Sequence, residues 1–509
     1  MRTPRRRIDV NLEELDQIIE CGTHAPLSES DGQKLKAALH AMADRLSANR
    51  STEKTRAVLK ESQALAPAQR PENAQSRPEG HGRNSAAQFT GAPKINVPHA
   101  TLTPGLTCPE CLRGKIYQQK QPATLVRIVG RPPLEATVFE LQRLRCNACG
   151  QIFTAEAPQA AGAKKYDDTA IAMLALLKYG TGIPFSRLER LQHQLGMPLP
   201  AATQWELLEA AAQEFRPAWK ELIRQGAQGG VVHNDDTGMR ILHLAREPGD
   251  KRTGTFTSGI VSILDGRNIA LFFTGSRHAG ENLAEVLKHR ARGLAPPVQM
   301  CDALARNTPK LPGMKPLLAN CLAHGRRQFI ELVENFPQEC RYVLEILRGV
   351  YHNDELAREK NLSAEERLHF HQQRSRPLMK ALREWMETQF AERRTEPNSG
   401  LGKAISYLLN HWAKLTLFLG HPGVPLDNNI VERALKKAIL NRKNALFYKT
   451  RNGAAVGDLF MSLIHTCELN GANPSEYLTE LHRHAADLSR FPAAWMPWNY
   501  REALAQVAA

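Results

Sequence analysis

The stretch from 229 to 302 constrains the fold more than any other part of the chain. Four strand-length apolar runs follow one another there: GGVVHND, MRILHLA, GTFTSGIVSIL and RNIALFFTG. A helical pattern, AGENLAEVLKHR, comes next, and then a short strand, PPVQMCD. Consecutive strands followed by a helix and a further strand predict a mixed sheet flanked by helices. The first run ends in Asp235 and Asp236, and the last ends in Asp302. Asp is depleted in strands and is rarely buried without a partner. Asp-Asp-Thr-Gly is also ordinary turn chemistry, so the pair alone does not separate a turn from a site.

Composition narrows the class. A chain of 509 residues has room for several domains, and 42% hydrophobic with 23% charged residues fits a globular protein. The longest apolar candidate, AIAMLALL, is far too short to span a bilayer. The basic opening MRTPRRRIDV lacks the apolar stretch of a secretory signal, so a cytoplasmic location is expected. Formal net charge is +15, which favours polyanionic partners, chiefly nucleic acid. Membrane binding would need a basic amphipathic helix or a lipidation motif, and none stands out.

Nine cysteines include two close pairs, with Cys21, Cys301, Cys321, Cys340 and Cys467 scattered. CPEC supplies Cys108 and Cys111, and CNAC supplies Cys146 and Cys149, with 34 residues between the pairs. Two such knuckles form the ligand set of a closed four-thiolate zinc site, which is structural because no position stays open for a reacting water. The alternative is two unrelated redox or buried pairs. Residues 101–158 are therefore read as a zinc ribbon, carrying the strand-like runs ATLVRIV and ATVFELQRL. Before it lie a helical segment, 1–49, with Leu35, Leu39, Met42 and Leu46 on one stripe, and a linker, 50–100. The linker holds five prolines and a single aromatic residue, Phe89, too little apolar surface to offset the entropy of ordering.

Residues 159–227 read as a helical, helix-turn-helix-like domain. Leu188, Leu191 and Leu195 share one helix face, Gly196-Met197-Pro198 turns, and a second helix starts near Pro200. That helix would enter a DNA groove with Thr203 and Gln204 near its start, although plain three-helix domains look alike. The sheet runs over 228–310. Residues 311–424 read as helical, with a capping box in SAEE and a buried face at Leu378, Leu382, Trp385 and Met386. A helix in 425–470 carries Glu432, and 471–509 is a carboxyl-terminal segment.

Asp302 lies 67 positions after Asp235, and Glu432 lies 130 positions further on. Cutting or joining a phosphodiester requires activating an attacking oxygen and stabilising the departing one. Two Mg2+ ions about 3.5–4 Å apart do both, and Mg2+ takes oxygen ligands. Three carboxylates on rigid elements would hold them. Taken singly, Asp235 also fits a turn, Asp302 a strand end, and Glu432 a solvated helix residue pairing with Lys436.

Several motifs together resemble the long, DDE-type transposases of insertion sequence family sixty-six. LDNNIVERALKKAILNRKNALF is similar to the family's DNN-x-x-ER … GRKN-x-LF signature, and NCLAHGRRQF to its C-x-AH-x-RR-x-F motif. HNDDTGMRIL resembles its first-Asp motif, KYGTGIPFSRLERLQHQLGMPL its K-Y-x-x-x-x-P-x-x-R segment, and NGANPSEYL its NG-x-x-P-x-x-YL. The resemblance implies an RNase H-like catalytic core with Asp235, Asp302 and Glu432 as its triad. It implies a helical insertion between the second Asp and the Glu, and favours Asp235 over Asp236 as ligand. Relatives continue after the second Asp with Gly-Tyr, whereas this chain reads Asp302-Ala-Leu-Ala-Arg-Asn307, which leaves any base stacking there without its aromatic residue.

The expected activity is Mg2+- or Mn2+-dependent cleavage and strand transfer of an element's terminal inverted repeats. The resemblance also implies DNA as the partner, self-association in a synaptic complex and small companion proteins of the same element, and the cysteine pairs imply a structural Zn2+. Asn428 would orient Glu432 or bind phosphate. Arg433, Arg442, Lys443, Arg326 and Arg327 would hold phosphates, against the reading of a solvated basic face. His324 reads as a structural hydrogen-bonding residue, because a lone C-x-x-H lacks a second ligand pair. A non-catalytic DNA-binding regulator derived from a transposase is the alternative, and a structure-selective nuclease that cuts without joining is the weaker third.

Overall fold

The computed structural model describes Thr55 and residues 94–119, 123–128, 131–145, 147, 149, 151–244 and 252–507. The amino-terminal helical segment, most of the linker and Cys146 lie outside the described residues. The chain divides into two compact units, Ser62–Glu135 on one side and Met1–Glu61 with Ala136–Ala509 on the other.

In the described part of Ser62–Glu135, backbone pairing surrounds the first cysteine pair. Thr107 bridges antiparallel to Lys115, and the Cys108 amide donates to the Gly114 carbonyl at 2.8 Å. The run ATLVRIV forms no strand over its described residues. Leu125 and Ile128 are exposed, so its apolar positions have no partner surface there. In the larger unit ATVFELQRL becomes a strand only at its end. There β1 (Arg143–Arg145) pairs antiparallel with β2 (Ile152–Thr154) around CNAC.

Three helices lead into the sheet. Asp167 caps α1 (Asp168–Ala175), accepting from the Ala170 amide at 2.9 Å. A π-helical turn, Leu176–Gly180, ends it, and α2 (Phe185–Gln194) and α3 (Ala201–Gly226) follow. The sheet comprises β3 (Val231–Gly238), β5 (Phe256–Leu264), β6 (Arg267–Gly275), β7 (Val298–Cys301) and β8 (Leu317–Asn320). A short β4 (Ile241–His243) lies outside it, and α4 (Ala279–Leu287) connects β6 to β7. The order is β6-β5-β3-β7-β8: the first three strands are antiparallel, and β7 and β8 run parallel to β3. Asp265 and Gly266 join β5 to β6 with positive φ at both, as a two-residue hairpin turn requires. The mixed α/β sheet expected from the strand runs is thus present.

The expected helical stretch over 311–424 contains one element of the sheet. Leu317–Asn320 forms β8, a parallel edge strand too short to announce itself among prolines and lysines. The helices proper are α5 (Leu322–Ile330), α6 (Pro337–Glu359), α7 (Ala364–Arg374), α8 (Arg376–Ala391) and α9 (Gly400–Asn410). Their core, including Phe329, Leu347, Leu382, Met386 and Leu408, is continuous with Met300 of β7 and Ala319 of β8. The Ser363–Glu366 capping box forms as the sequence predicts.

After the insertion come α10 (Asn429–Ala445), β9 (Tyr448–Thr450), α11 (Arg451–Leu469) and α12 (Pro474–Arg483). Strand β9 pairs parallel with β4. Helix α11 closes the β6 edge of the sheet with side chains instead of another strand. The amides of Ala270, Phe272 and Thr274 donate to Thr466 Oγ1 (3.1 Å), Ser462 Oγ (3.0 Å) and Asp458 Oδ2 (2.6 Å). Asn470 Oδ1 accepts from the Asn268 amide, while its Nδ2 donates to the Asn268 carbonyl. Four helical residues rise about 6 Å and two strand residues about 6.8 Å. One helix face therefore keeps step with alternate residues of the strand. Among the described residues no helix is long and apolar enough to cross a membrane.

Candidate active site

Strand β3 alternates its side chains across the sheet, and this separates the adjacent aspartates. Asp236 is turned to α4: His278 Nδ1 donates to its Oδ2 at 2.8 Å, and Arg306 lies 3.4 Å from its Oδ1. Both oxygens are engaged and the side chain is 1% exposed. Asp235 faces the other way. Asn307 Nδ2 donates to Asp302 Oδ1 at 2.5 Å and reaches Asp235 Oδ1 at 3.3 Å, so one amide nitrogen touches both carboxylates. Burial, then the charge of Asp302, pushes Asp235 up to about 7.

A network of buried amides fixes this pair. Asn234 Nδ2 donates to the Asn307 carbonyl, as does Gln299 Nε2, which also donates to Asn234 Oδ1. Asn320 of β8 donates to the Asp302 carbonyl at 3.2 Å. The loop after β7 is thus tied to three strands. Gly280 of α4 permits it: a Cβ there would lie 2.6 Å from the carbonyl oxygens of Arg306 and Thr308.

Glu432 sits in the first turn of α10, which packs across β3 and β5. Gly259 of β5 is directly opposite Asp235 in the ladder. A Cβ at Gly259 would meet Leu435 at 3.0 Å and Val431 at 3.2 Å, so the glycine sets how closely α10 approaches the site. The Glu432 charge is felt at Asp235. Its carboxylate, however, turns towards α5, with Oε1 3.6 Å from His324 Nδ1 and Oε2 3.7 Å from Arg327. Among the described residues, the trio of His, Cys, Asp or Glu donor atoms all within 4.8 Å of one another is Cys321, His324 and Glu432. The two aspartates are brought together, whereas the Glu432 carboxylate is paired across to α5.

Two residues expected to touch DNA are buried and used internally. Asn428 is fully buried. Its Nδ2 donates to the Asn234 carbonyl (3.1 Å), its Oδ1 accepts from His233 Nδ1 (3.1 Å), and its amide donates to Cys321 Sγ (3.2 Å). It locks the start of α10 to β3 and cannot reach phosphate. Burial pushes His233 down to about 4, so the imidazole in this lock is neutral at pH 7. Gln204 is likewise fully buried, donating to the carbonyls of Leu199 and Phe185, which ties the α2–α3 turn. The polar side chain is a brace, not a base reader. Helix α3 also buries a stripe, Leu208, Ala211, Phe215, Ala218 and Leu222, and packs on β5 and β6. Thr203 beside it is half-buried.

The cations divide. Arg442 is half-buried and donates to Thr237 Oγ1 and the Gly238 carbonyl, pinning α10 to the end of β3. Arg326 donates to Thr55 Oγ1 at 3.2 Å, and Arg327 faces Glu432. Arg433 and Lys443 are exposed on α10. Asn307 was not singled out from sequence. The trace of it in sequence is an amide five positions after the second Asp.

The family described as Transposase IS66 family matches residues 165–456, from the first helices through the α10 motif into α11. The chain belongs to the IS66 transposase family. Two uncharacterised proteins of Sinorhizobium fredii are similar over most of their length. One, y4jD, is 26% identical over 442 residues, covering 84% of this chain and 85% of the relative. The other, y4hP, is 26% identical over 446 residues, covering 81% and 76%. For an IS66 chain, the matched segment holds every element that builds the site: β3, the loop after β7, α5 and α10.

Proposed function

We propose that this chain cuts the ends of its insertion sequence and joins them to target DNA, with Asp235, Asp302 and Glu432 as the catalytic carboxylates. The observation that carries the reading is the single Asn307 amide nitrogen held between Asp235 of β3 and Asp302, which directly follows the neighbouring β7. Burial, and then the neighbouring Asp302 charge, pushes Asp235 up to about 7, and a divalent cation held by the pair would relieve both costs. The donors are oxygens on rigid elements, which suits Mg2+ or Mn2+. Bound ions would supply Lewis-acid activation of the attacking oxygen and stabilisation of the departing one.

The chain's own groups do the rest. The buried amides hold the two aspartates at a fixed separation. Asn428 fixes the start of α10 and hence the place of Glu432. Arg433 and Lys443 offer exposed cations for the phosphate backbone. Asp236 keeps Arg306 and His278 in place and takes no part in ion binding. We also propose a structural Zn2+, for which Cys108 and Cys111 supply one knuckle. In support, hydrogen bonds from the backbone amides of Arg113 and Gly114 hold the Cys111 thiol below its usual range, as a metal-binding knuckle does.

The test is a strand-transfer assay with purified protein, labelled element-end DNA and Mg2+ present or withheld. Joined product that requires Mg2+ is expected. End binding with no cut or joined product would favour the non-catalytic regulator.

A further inference from the structure

The C-x-x-H sequence in α5 acquires a third donor only through tertiary structure. Cys321 follows β8 directly, His324 lies one turn on, and Glu432 comes from α10; their donor atoms all lie within 4.8 Å of one another. His324 Nδ1 and Glu432 Oε1 are both buried atoms with no hydrogen-bond partner. Arg327 stands 3.7 Å from the other Glu432 oxygen, which leaves Oε1 directed at the histidine. The Asn428 amide already donates to Cys321 Sγ, the type of outer contact that steadies a ligating sulfur.

We propose that Cys321, His324 and Glu432 form a site for one soft divalent cation, Zn2+ by its donor set, which holds Glu432 on α5 and away from the aspartate pair. Sulfur, imidazole nitrogen and one carboxylate oxygen suit Zn2+ and not Mg2+. Zn2+ bond lengths place tetrahedral donors about 3.3–3.8 Å apart, so small side-chain rotations close the site. Three protein ligands leave a fourth position for water. Zn2+ here and Mg2+ at the aspartates compete for one glutamate, which makes the ion a brake on the nuclease. That consequence rests on Glu432 serving in catalysis, whereas the binding itself does not.

The experiment counts ions without DNA. Full-length protein, stripped with a chelator, is equilibrated with Zn2+ and dialysed, and bound zinc per chain is measured. His324→Ala and Glu432→Gln are each expected to hold one ion fewer than the parent at limiting Zn2+, with affinity for that ion lowered at least ~10-fold, the loss that even outer-shell substitutions bring. Cys108→Ser serves as the control for the four-cysteine site and leaves the His324-dependent ion in place. Glu432→Gln removes charge with little change of shape, so its count stands even if His324→Ala folds poorly. Equal zinc in the parent, His324→Ala and Glu432→Gln overturns the proposal. If the substitutions lose the ion while the parent chain, supplied with Mg2+, shows no strand transfer, this site stands and the catalytic reading is overturned instead.

Discussion

At the scale of residues, the site is a set of carboxylates held by amides. Asn307 has its side-chain nitrogen between Asp235 and Asp302. Asn307→Ala leaves those oxygens without their shared donor and is expected to lower unfolding free energy by about 1–3 kcal/mol, measured by urea denaturation without metal. Mg2+ should restore part of the loss, because a cation replaces the missing donor. Protonation gives a second prediction. Asp235 and Asp458 are each raised to about 7. Between about pH 4 and 7 the folded chain keeps protons there that the unfolded chain has released, so these groups make stability fall as pH rises. His233, lowered to about 4, acts with the opposite sign. The check is therefore a difference: Asp235→Asn and Asp458→Asn should each flatten the downward component relative to the parent in metal-free urea titrations from pH 4 to 8. Asp235 and Asp302 were legible because each closes an apolar run. For Asn428 the positioning reading fits its buried contacts and the phosphate reading does not, and Gln204 braces a turn instead of reading a base, because a polar side chain near a helix start looks like surface until packing buries it.

Elements carry the geometry of the site. The approach of α10 depends on Gly259, where any side chain meets Leu435 and Val431. Gly259→Val should cost about 1–3 kcal/mol through overpacking. It should also depress DNA cleavage more than DNA binding, since the helix it displaces carries Glu432. Parallel measurements of binding and cleavage check this. The α11–β6 contact makes a separate prediction. Ser462→Ala leaves the buried Phe272 amide unpaired and should cost about 1–3 kcal/mol by denaturation, with no direct effect on the site. That contact was invisible in sequence. Asp458, Ser462, Thr466 and Asn470 form a polar stripe at helical spacing, which reads as a solvated face, yet the first three are buried against strand amides. Strand β8 escaped notice for the related reason that its short run has no pattern of its own beyond its pairing with β7.

For the whole molecule, the net charge of +15 and the exposed cations of α10 point to phosphate contacts. Arg433→Ala and Lys443→Ala should each reduce the slope of log affinity against log salt by about 1. Arg442→Ala should instead lower stability, because that side chain is bonded to β3. The order of strands and helices from 229 to 302 was readable from hydrophobic runs alone, since a sheet core repeats its pattern locally. The pairing of Glu432 with α5 was not, because His324 and Glu432 lie more than a hundred residues apart in sequence. The account is tested most directly by the metal dependence of cleavage in Asp302→Cys. If Asp302 ligates the catalytic ion, cleavage of element-end DNA is lost in Mg2+, which avoids sulfur, and returns in Mn2+, which accepts it more readily. Undiminished cleavage in Mg2+ by Asp302→Cys would contradict the assignment of this carboxylate and the site built around it.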